Sequence, residues 1–213
     1  MYKYNRTGDT SVELLENISK QELNSIKELI GEAFVSNELF HEFGDIQSRK
    51  ALVMKYMNVY VDYVYESNAL YATSDRRAFV GLIYSDKQPI IPKVKMLFRL
   101  ISLIPFLILK KYMNHVKQIA NQNKKYSSEV HVDILFICVS KEYQGKGYAR
   151  QLVDFAKKQA ENRKVPLLLD TDMEKYARIY QHYGCELYNK KTADNGVTRY
   201  NLVWKEYDKY NRI

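Results

Sequence analysis

The 213 residues are enough for one domain whose core needs neither disulfides nor a structural metal, and the two cysteines, Cys138 and Cys185, lack metal-ligand spacing. A net charge of +8 admits nucleic acid or a membrane surface as partner. However, the basic residues are scattered, at most as the pairs Arg76-Arg77, Lys110-Lys111, Lys124-Lys125 and Lys190-Lys191, and no nucleic-acid fingerprint accompanies them. No apolar N-terminal segment precedes a cleavage site, so a reduced, cytoplasmic protein is expected.

In chain order, residues 10–18 read as a first strand, and Ser19 with Glu22 forms a capping box for a helix to about Phe34. Asp45 is placed to cap a second helix to about Glu66, with Leu52, Val53, Tyr56, Val59, Tyr60 and Tyr63 at helical spacing. Residues 70–73 and 78–84 alternate as a hairpin around 74–77. An inserted helical region follows over about 92–121. Its apolar stretch 97–109 is 13 residues, short of the roughly 20 that span a bilayer, and holds Arg99 and Pro105. It reads as a buried or partly buried helix kinked near the proline, ahead of a lid over an acceptor pocket, a dimer face or an interfacial anchor, in that order. Residues 121–128 are polar and read as a surface loop. Beyond them come a strand ending at Val139, a glycine turn, a helix to about Ala160, a strand over 165–171 and a helix over 173–183. A closing hairpin of 185–188 and 197–204 turns near Asn195-Gly196. The 19 tyrosines are spread along these elements and read as packing residues with solvated hydroxyls. The order predicts a single α/β domain over 1–213, a mixed sheet with helices on both faces.

The chemistry concentrates at the turn after Val139. Gly145 and Gly147 allow close approach of backbone to a bulky group, and the following helix offers unpaired N–H groups and its positive dipole end, an arrangement suited to phosphate. It is not a Walker A loop, for no Lys-Ser or Lys-Thr pair follows a glycine. Nor is it a dinucleotide fingerprint, because Arg150 stands where the third glycine is needed. What remains is Q-x-x-G-x-A at Gln144, Gly147 and Ala149, after a strand and before a helix. A second strand follows, then a helix whose Tyr180 stands four residues before Gly184.

Over roughly 129–204 this resembles the GNAT family of N-acetyltransferases, and the N-terminal half matches by element order. The resemblance implies a mostly antiparallel central sheet flanked by helices and acetyl-CoA as acyl donor. The backbone amides of Gly145, Lys146, Gly147, Tyr148 and Ala149 would hold the pyrophosphate, with a side-chain donor from Gln144 at the mouth of the loop. Ile137, Cys138 and Val139 would pair with the pantetheine arm as an added strand. Met173 stands at a further cofactor-arm position, where the family often has Asn. Tyr180 is implied as general acid for the leaving thiolate. Glu129, His131 and Asp133 alternate at the start of the central strand and are candidates for base or water relay. Glu38, His41, Glu42 and Asp45 fall where the resemblance puts acceptor recognition. Their acidity would suit a cationic amine.

The implied reaction is direct transfer in a ternary complex to a primary amine of a small molecule. A protein N-terminus or lysine is the alternative acceptor, and a non-catalytic acyl-CoA-binding or regulatory module the alternative role. An acyl-cysteine route is disfavoured, because Cys138 sits in an apolar strand with no activating partner. A homodimer is admitted, whereas nucleic acid and stable membrane insertion are not expected.

Overall fold

The computed structural model describes residues 11–87, 89–120, 126 and 129–206. The expected loop at 121–128 therefore lies, apart from Tyr126, outside the described residues. A seven-stranded sheet runs in the order β1-β2-β3-β4-β5-β7-β6, antiparallel throughout except for the β4–β5 pair. Its strands are β1 Val12–Leu14, β2 Leu70–Thr73, β3 Ala78–Tyr84, β4 Val132–Val139, β5 Leu167–Thr171, β6 Glu186–Thr192 and β7 Thr198–Trp204. The helices are α1 Lys20–Phe34, α2 Lys50–Glu66, α3 Ile90–Leu103, α4 Phe106–Ile119, α5 Tyr148–Arg163 and α6 Glu174–His182.

The local signals act as expected at several ends. Ser19 Oγ accepts from the Glu22 N–H at 3.1 Å, so α1 starts where the capping box put it, although the Glu22 carboxylate is taken by Arg76. Asp45 caps a turn rather than a helix: its Oδ1 accepts from Gln47 and Ser48 N–H groups, and α2 begins at Lys50. The hairpin strands β2 and β3 lie where alternation placed them. The closing hairpin is longer than expected, because Ala193 and Val197 close the Asn195-Gly196 turn and extend pairing to Thr192 and Thr198.

Two cores lie on opposite faces of the sheet. One packs α1, α2, the 3-10 segment Glu38–Phe43 and the inner sides of α3 and α4 around Phe40, Val53, Met57 and Phe136. The other packs α5 and α6 around Leu82, Ile134, Leu152 and Leu202. Burying such side chains contributes roughly 1.5–3 kcal/mol each.

The inserted region is partly buried, as expected, but broken rather than kinked at the proline. Ile104 is extended (φ −105°, ψ 131°) before Pro105, so the segment breaks into α3 and α4, as a residue preceding proline disfavours helical geometry. Leu100 and Ile104 are buried, whereas Leu97, Phe98, Ile101, Phe106 and Leu107 face outward. No described helix is long and apolar enough to cross a membrane.

Candidate active site

The site begins where two parallel strands part. β4 pairs with β3 along its whole length, but its ladder with β5 covers only Val132–Ile134 against Leu167–Leu169. Beyond Ile134 the β5-facing edge of residues 135–139 is left unpaired by that strand, a row of donors and acceptors suited to an extended guest. A bulge sets this geometry: Gly81 pairs with Phe136 and Leu82 with Ile134, so Leu135 is an extra residue. It reverses the alternation. Val132 and Ile134 enter the α5 core, whereas Phe136 and Cys138 enter the α2 core. Gly81 permits it, since a Cβ there would stand 2.9 Å from the Phe136 ring.

At the end of β4 a 3-10 turn, Lys141–Tyr143, leads into Gly145 (φ 75°) and Gly147 (φ 90°), the latter capping α5. A Cβ at either glycine would meet nothing within 4 Å, so the positive φ, not crowding by the chain, reserves them for glycine. The N–H groups of Tyr148, Ala149 and Arg150 belong to the first turn of α5, where helical geometry supplies no partner. Gln144 differs from the expectation of a donor at the mouth. Its amide donates to the Val139 carbonyl at 3.2 Å and ties the turn to the strand. Cys138 contributes backbone only: its thiol is buried, and burial pushes it up to about 12, which keeps it protonated.

Pattern reading missed Arg77. It lies over the Tyr143 ring at 4.2 Å and donates to the Tyr148 hydroxyl, which donates in turn to Asp75 at 2.7 Å. The β2–β3 turn thus braces the glycine turn and brings a cation to it, joining Lys146 and Arg150. The signal was present only as a basic pair in a hairpin turn.

Across the opening stand β5 and α6. Gly184 (φ 86°) ends α6 with its N–H bonded to Gln181 and the Cys185 N–H bonded to the Tyr180 carbonyl. This helix stop explains the spacing of Tyr180 to Gly184. Burial raises the half-buried Tyr180 hydroxyl above its ordinary value, and Tyr176, Cys185, Tyr183 and Asp170 add to the effect. Met173 is the N-cap of α6, and its N–H donates to Thr171 Oγ1.

Asp170, also missed, follows the three leucines of β5 and precedes its last residue, Thr171. Its side chain is 51% exposed, yet the surrounding protein strips enough hydration to raise its carboxyl, aided by the charges of Asp172 and Asp133 and opposed by Arg199. Arg199 stands 3.6 Å from Asp170 and bonds Asp172 through two nitrogens at 2.9 Å each. Burial works to lower its pKa, but these two carboxylates outweigh that and raise it. Tyr60 on α2 faces the same group: burial holds its hydroxyl well above the ordinary value, and Asp170 and Asp133 contribute.

Of the three alternating candidates, the structure joins two. His131 Nε2 lies 3.1 Å from Asp133 Oδ2, and its Nδ1 is 2.6 Å from the Glu129 carbonyl. Glu129 therefore meets His131 through its backbone, ahead of the strand. The Asp133 hydrogen bond raises the His131 pKa against the opposing effect of burial. With both ring nitrogens engaged, His131 positions Asp133 and offers no free nitrogen to a guest.

The acceptor-side residues divide. Glu42 accepts from Asn195 Nδ2 at 2.7 Å, and Asn195 also meets His115 Nδ1 at 2.8 Å, which ties the 3-10 segment, α4 and the β6–β7 turn together. Glu38 and His41 instead line a surface depression with Asp45, Ile46 and Arg49, none of them on β4 or β5. Between these lies an aromatic wall. Phe40, Phe43, Tyr56 and Tyr112 pack at centroid distances of 5.1–6.1 Å, and the Tyr112 hydroxyl donates to Tyr56 at 3.0 Å. These tyrosines are gathered by the fold, not spread as the sequence implied.

The seven-stranded, mostly antiparallel sheet flanked by helices is a fold this chain shares with solved GNAT acetyltransferases. Residues 112–186 match the family model of the acetyltransferase (GNAT) domain, an acyltransferase domain that takes acetyl-CoA as cosubstrate. The chain is similar in fold to the histone acetyltransferase HPA2 and related acetyltransferase of Corynebacterium glutamicum, at 15% identity over 92% of this chain and 95% of that one, TM-score 0.59. It is also similar to arylalkylamine N-acetyltransferase 2 of Aedes aegypti, at 15% identity over 92% and 98%, TM-score 0.57. A third likeness is to an N-acetyltransferase of Staphylococcus aureus, at 13% identity over 91% and 100%, TM-score 0.55. No curated protein matches the sequence.

Proposed function

We propose that the chain moves the acetyl group of acetyl-CoA to a primary amine of a small molecule, directly and within a ternary complex. The observation that carries this reading is the unpaired edge of β4 running into the Gly145–Gly147 turn, with Tyr180 and Asp170 across the opening. Acetyl-CoA supplies the activated thioester. The backbone amides of Gly145 to Ala149, the α5 dipole and the cations of Arg77, Lys146 and Arg150 hold its pyrophosphate. Residues 137–139 hold the arm as a strand would, with Met173 at its far side, and Gln144 keeps the turn in place.

Asp170 attracts the ammonium form of the acceptor and takes a proton from it, with Asp133 and His131 as a second relay and Glu129 holding the imidazole. The freed amine lone pair forms the C–N bond, the C–S bond breaks and Tyr180 gives its proton to the departing sulfur. The second proton that the nitrogen sheds on becoming an amide leaves through Asp133 to solvent, from which the tyrosinate is reprotonated. Because its pKa is raised, the hydroxyl keeps that proton until the thiolate demands it. Two features support a small acceptor: α4 closes one side of the opening through Tyr112 and His115, and Glu42 fastens that wall to Asn195. Glu38 and His41 are assigned to the outer rim of acceptor entry.

Isothermal titration with acetyl-CoA, CoA and ATP tests the cofactor, and thiol release with a panel of amines tests turnover. Saturable binding of both CoA forms without comparable ATP binding is expected. Gly147→Glu places a carboxylate and a strained backbone in the phosphate cradle and is expected to abolish that binding; unchanged affinity would refute the loop assignment.

A further inference from the structure

The outer surface of α3 and α4 has a composition that the acyl-transfer reading does not use. Between Ile90 and Ile119 there are six basic residues and no aspartate or glutamate. On α3, Met96 and Leu100 turn toward the core, while Lys95 and Arg99 reach Glu66 and Asp62 of α2 at 2.6 and 2.7 Å. The remaining side carries Ile90, Ile91, Val94, Leu97, Phe98 and Ile101, a stripe about 120° wide at helical spacing. It continues past the Pro105 break into Phe106 and Leu107. Ile91 is 82% exposed, Phe98 70%, and Phe106 and Leu107 72% each. Exposed aromatic and aliphatic side chains in this number and continuity exceed the scattered apolar residues of an ordinary surface. Lys110 and Lys111 follow immediately, exposed and without an ion-pair partner among the described residues.

We propose that this face seats in the headgroup layer of an anionic lipid bilayer, with α3 lying in the membrane plane and Phe106 and Leu107 at its inserted corner. Each helix has 14 residues, about 21 Å, short of the roughly 30 Å hydrocarbon core, so the pair lies on the membrane and does not cross it. The apolar stripe enters the acyl boundary, and the lysines meet lipid phosphates, the pairing an interfacial helix uses. Charge selects this occupant over a second copy of the chain. Two copies meeting face to face would bring together two lysine-bearing surfaces that hold no carboxylate to pair them.

The test is co-sedimentation of the full chain with vesicles of phosphatidylglycerol and phosphatidylcholine, and with phosphatidylcholine alone, beside sedimentation velocity without lipid. Binding to the anionic vesicles is expected, weakening as salt rises. Combined Phe98→Ser, Phe106→Ser and Leu107→Ser is expected to lower the bound fraction about tenfold or more, with unchanged circular dichroism and acetyl-CoA binding. Combined Lys110→Glu and Lys111→Glu should remove the preference for anionic vesicles. A chain that stays in the supernatant with anionic vesicles overturns the proposal, as does binding that survives the triple substitution. A dimer that the triple substitution dissociates overturns it in favour of a second copy.

Discussion

Asp170 is pulled between fold and chemistry. Its carboxyl is raised in the folded chain, first by burial, so the charged form is less favoured folded than unfolded. The stabilising contribution of this group is complete below the unfolded value of about 3.9 and is lost as pH rises through the folded value. The ionised carboxyl carries the cost of lost hydration but is offset by its attraction for Arg199. Asp170→Asn is therefore expected to make Tm less dependent on pH across that window while lowering turnover by about 10²-fold or more, and to remove the acidic limb of kcat/KM. A substitution that leaves the pH dependence of Tm unchanged and spares turnover would contradict both halves. Tyr180→Phe separates acid from binding role. Loss of the hydroxyl should cost about 10²-fold in kcat with little change in acetyl-CoA affinity, read by steady-state rates and titration; an equal kcat would end the general-acid assignment. Tyr180 was singled out through the GNAT resemblance, by its place four residues before Gly184. Asp170 was not, because a carboxylate near the end of an apolar strand looks like any strand end until β4 parts from β5.

At the scale of elements, β4 depends on a glycine in its neighbour. The bulge at Leu135 needs the Phe136 ring above Gly81, where a Cβ would come within 2.9 Å. Gly81→Ala is expected to destabilise the chain by about 1–3 kcal/mol in urea unfolding, the cost of overpacking a filled core, and to weaken acetyl-CoA binding by shifting the β4 edge. Stability equal to the parent would mean that the ring moves freely. The elements themselves were largely readable: β2, β3 and α1 lie where alternation and capping placed them. The start of α2 was not, since an Asp followed by accessible N–H groups caps a turn or a helix by the same hydrogen bonds. The bulge was unreadable for a related reason. Its extra residue exists only relative to the partner strand, and the apolar run of β4 shows no break.

For the whole molecule, His131 links fold stability to pH. Its pKa is raised by the Asp133 hydrogen bond, so its contribution is fully present below the unfolded value of about 6.5 and is lost as pH rises through the folded value. Tm measured across that window is expected to fall with rising pH, and His131→Asn should flatten the trend; a parallel slope in the variant would remove His131 as its source. Taken by itself, the sequence determined the order of elements, the glycine turn, the helix stop at Gly184 and the shared architecture, because each depends on neighbours a few residues away. Only the tertiary structure decided that β4 and β5 separate, that Arg77 and Asp170 reach the opening, that His131 has no free nitrogen, and that α3 and α4 turn an apolar face outward. Those outcomes rest on which surfaces meet across long stretches of chain, and a hydrophobic run reads the same whether it will face a core or the solvent.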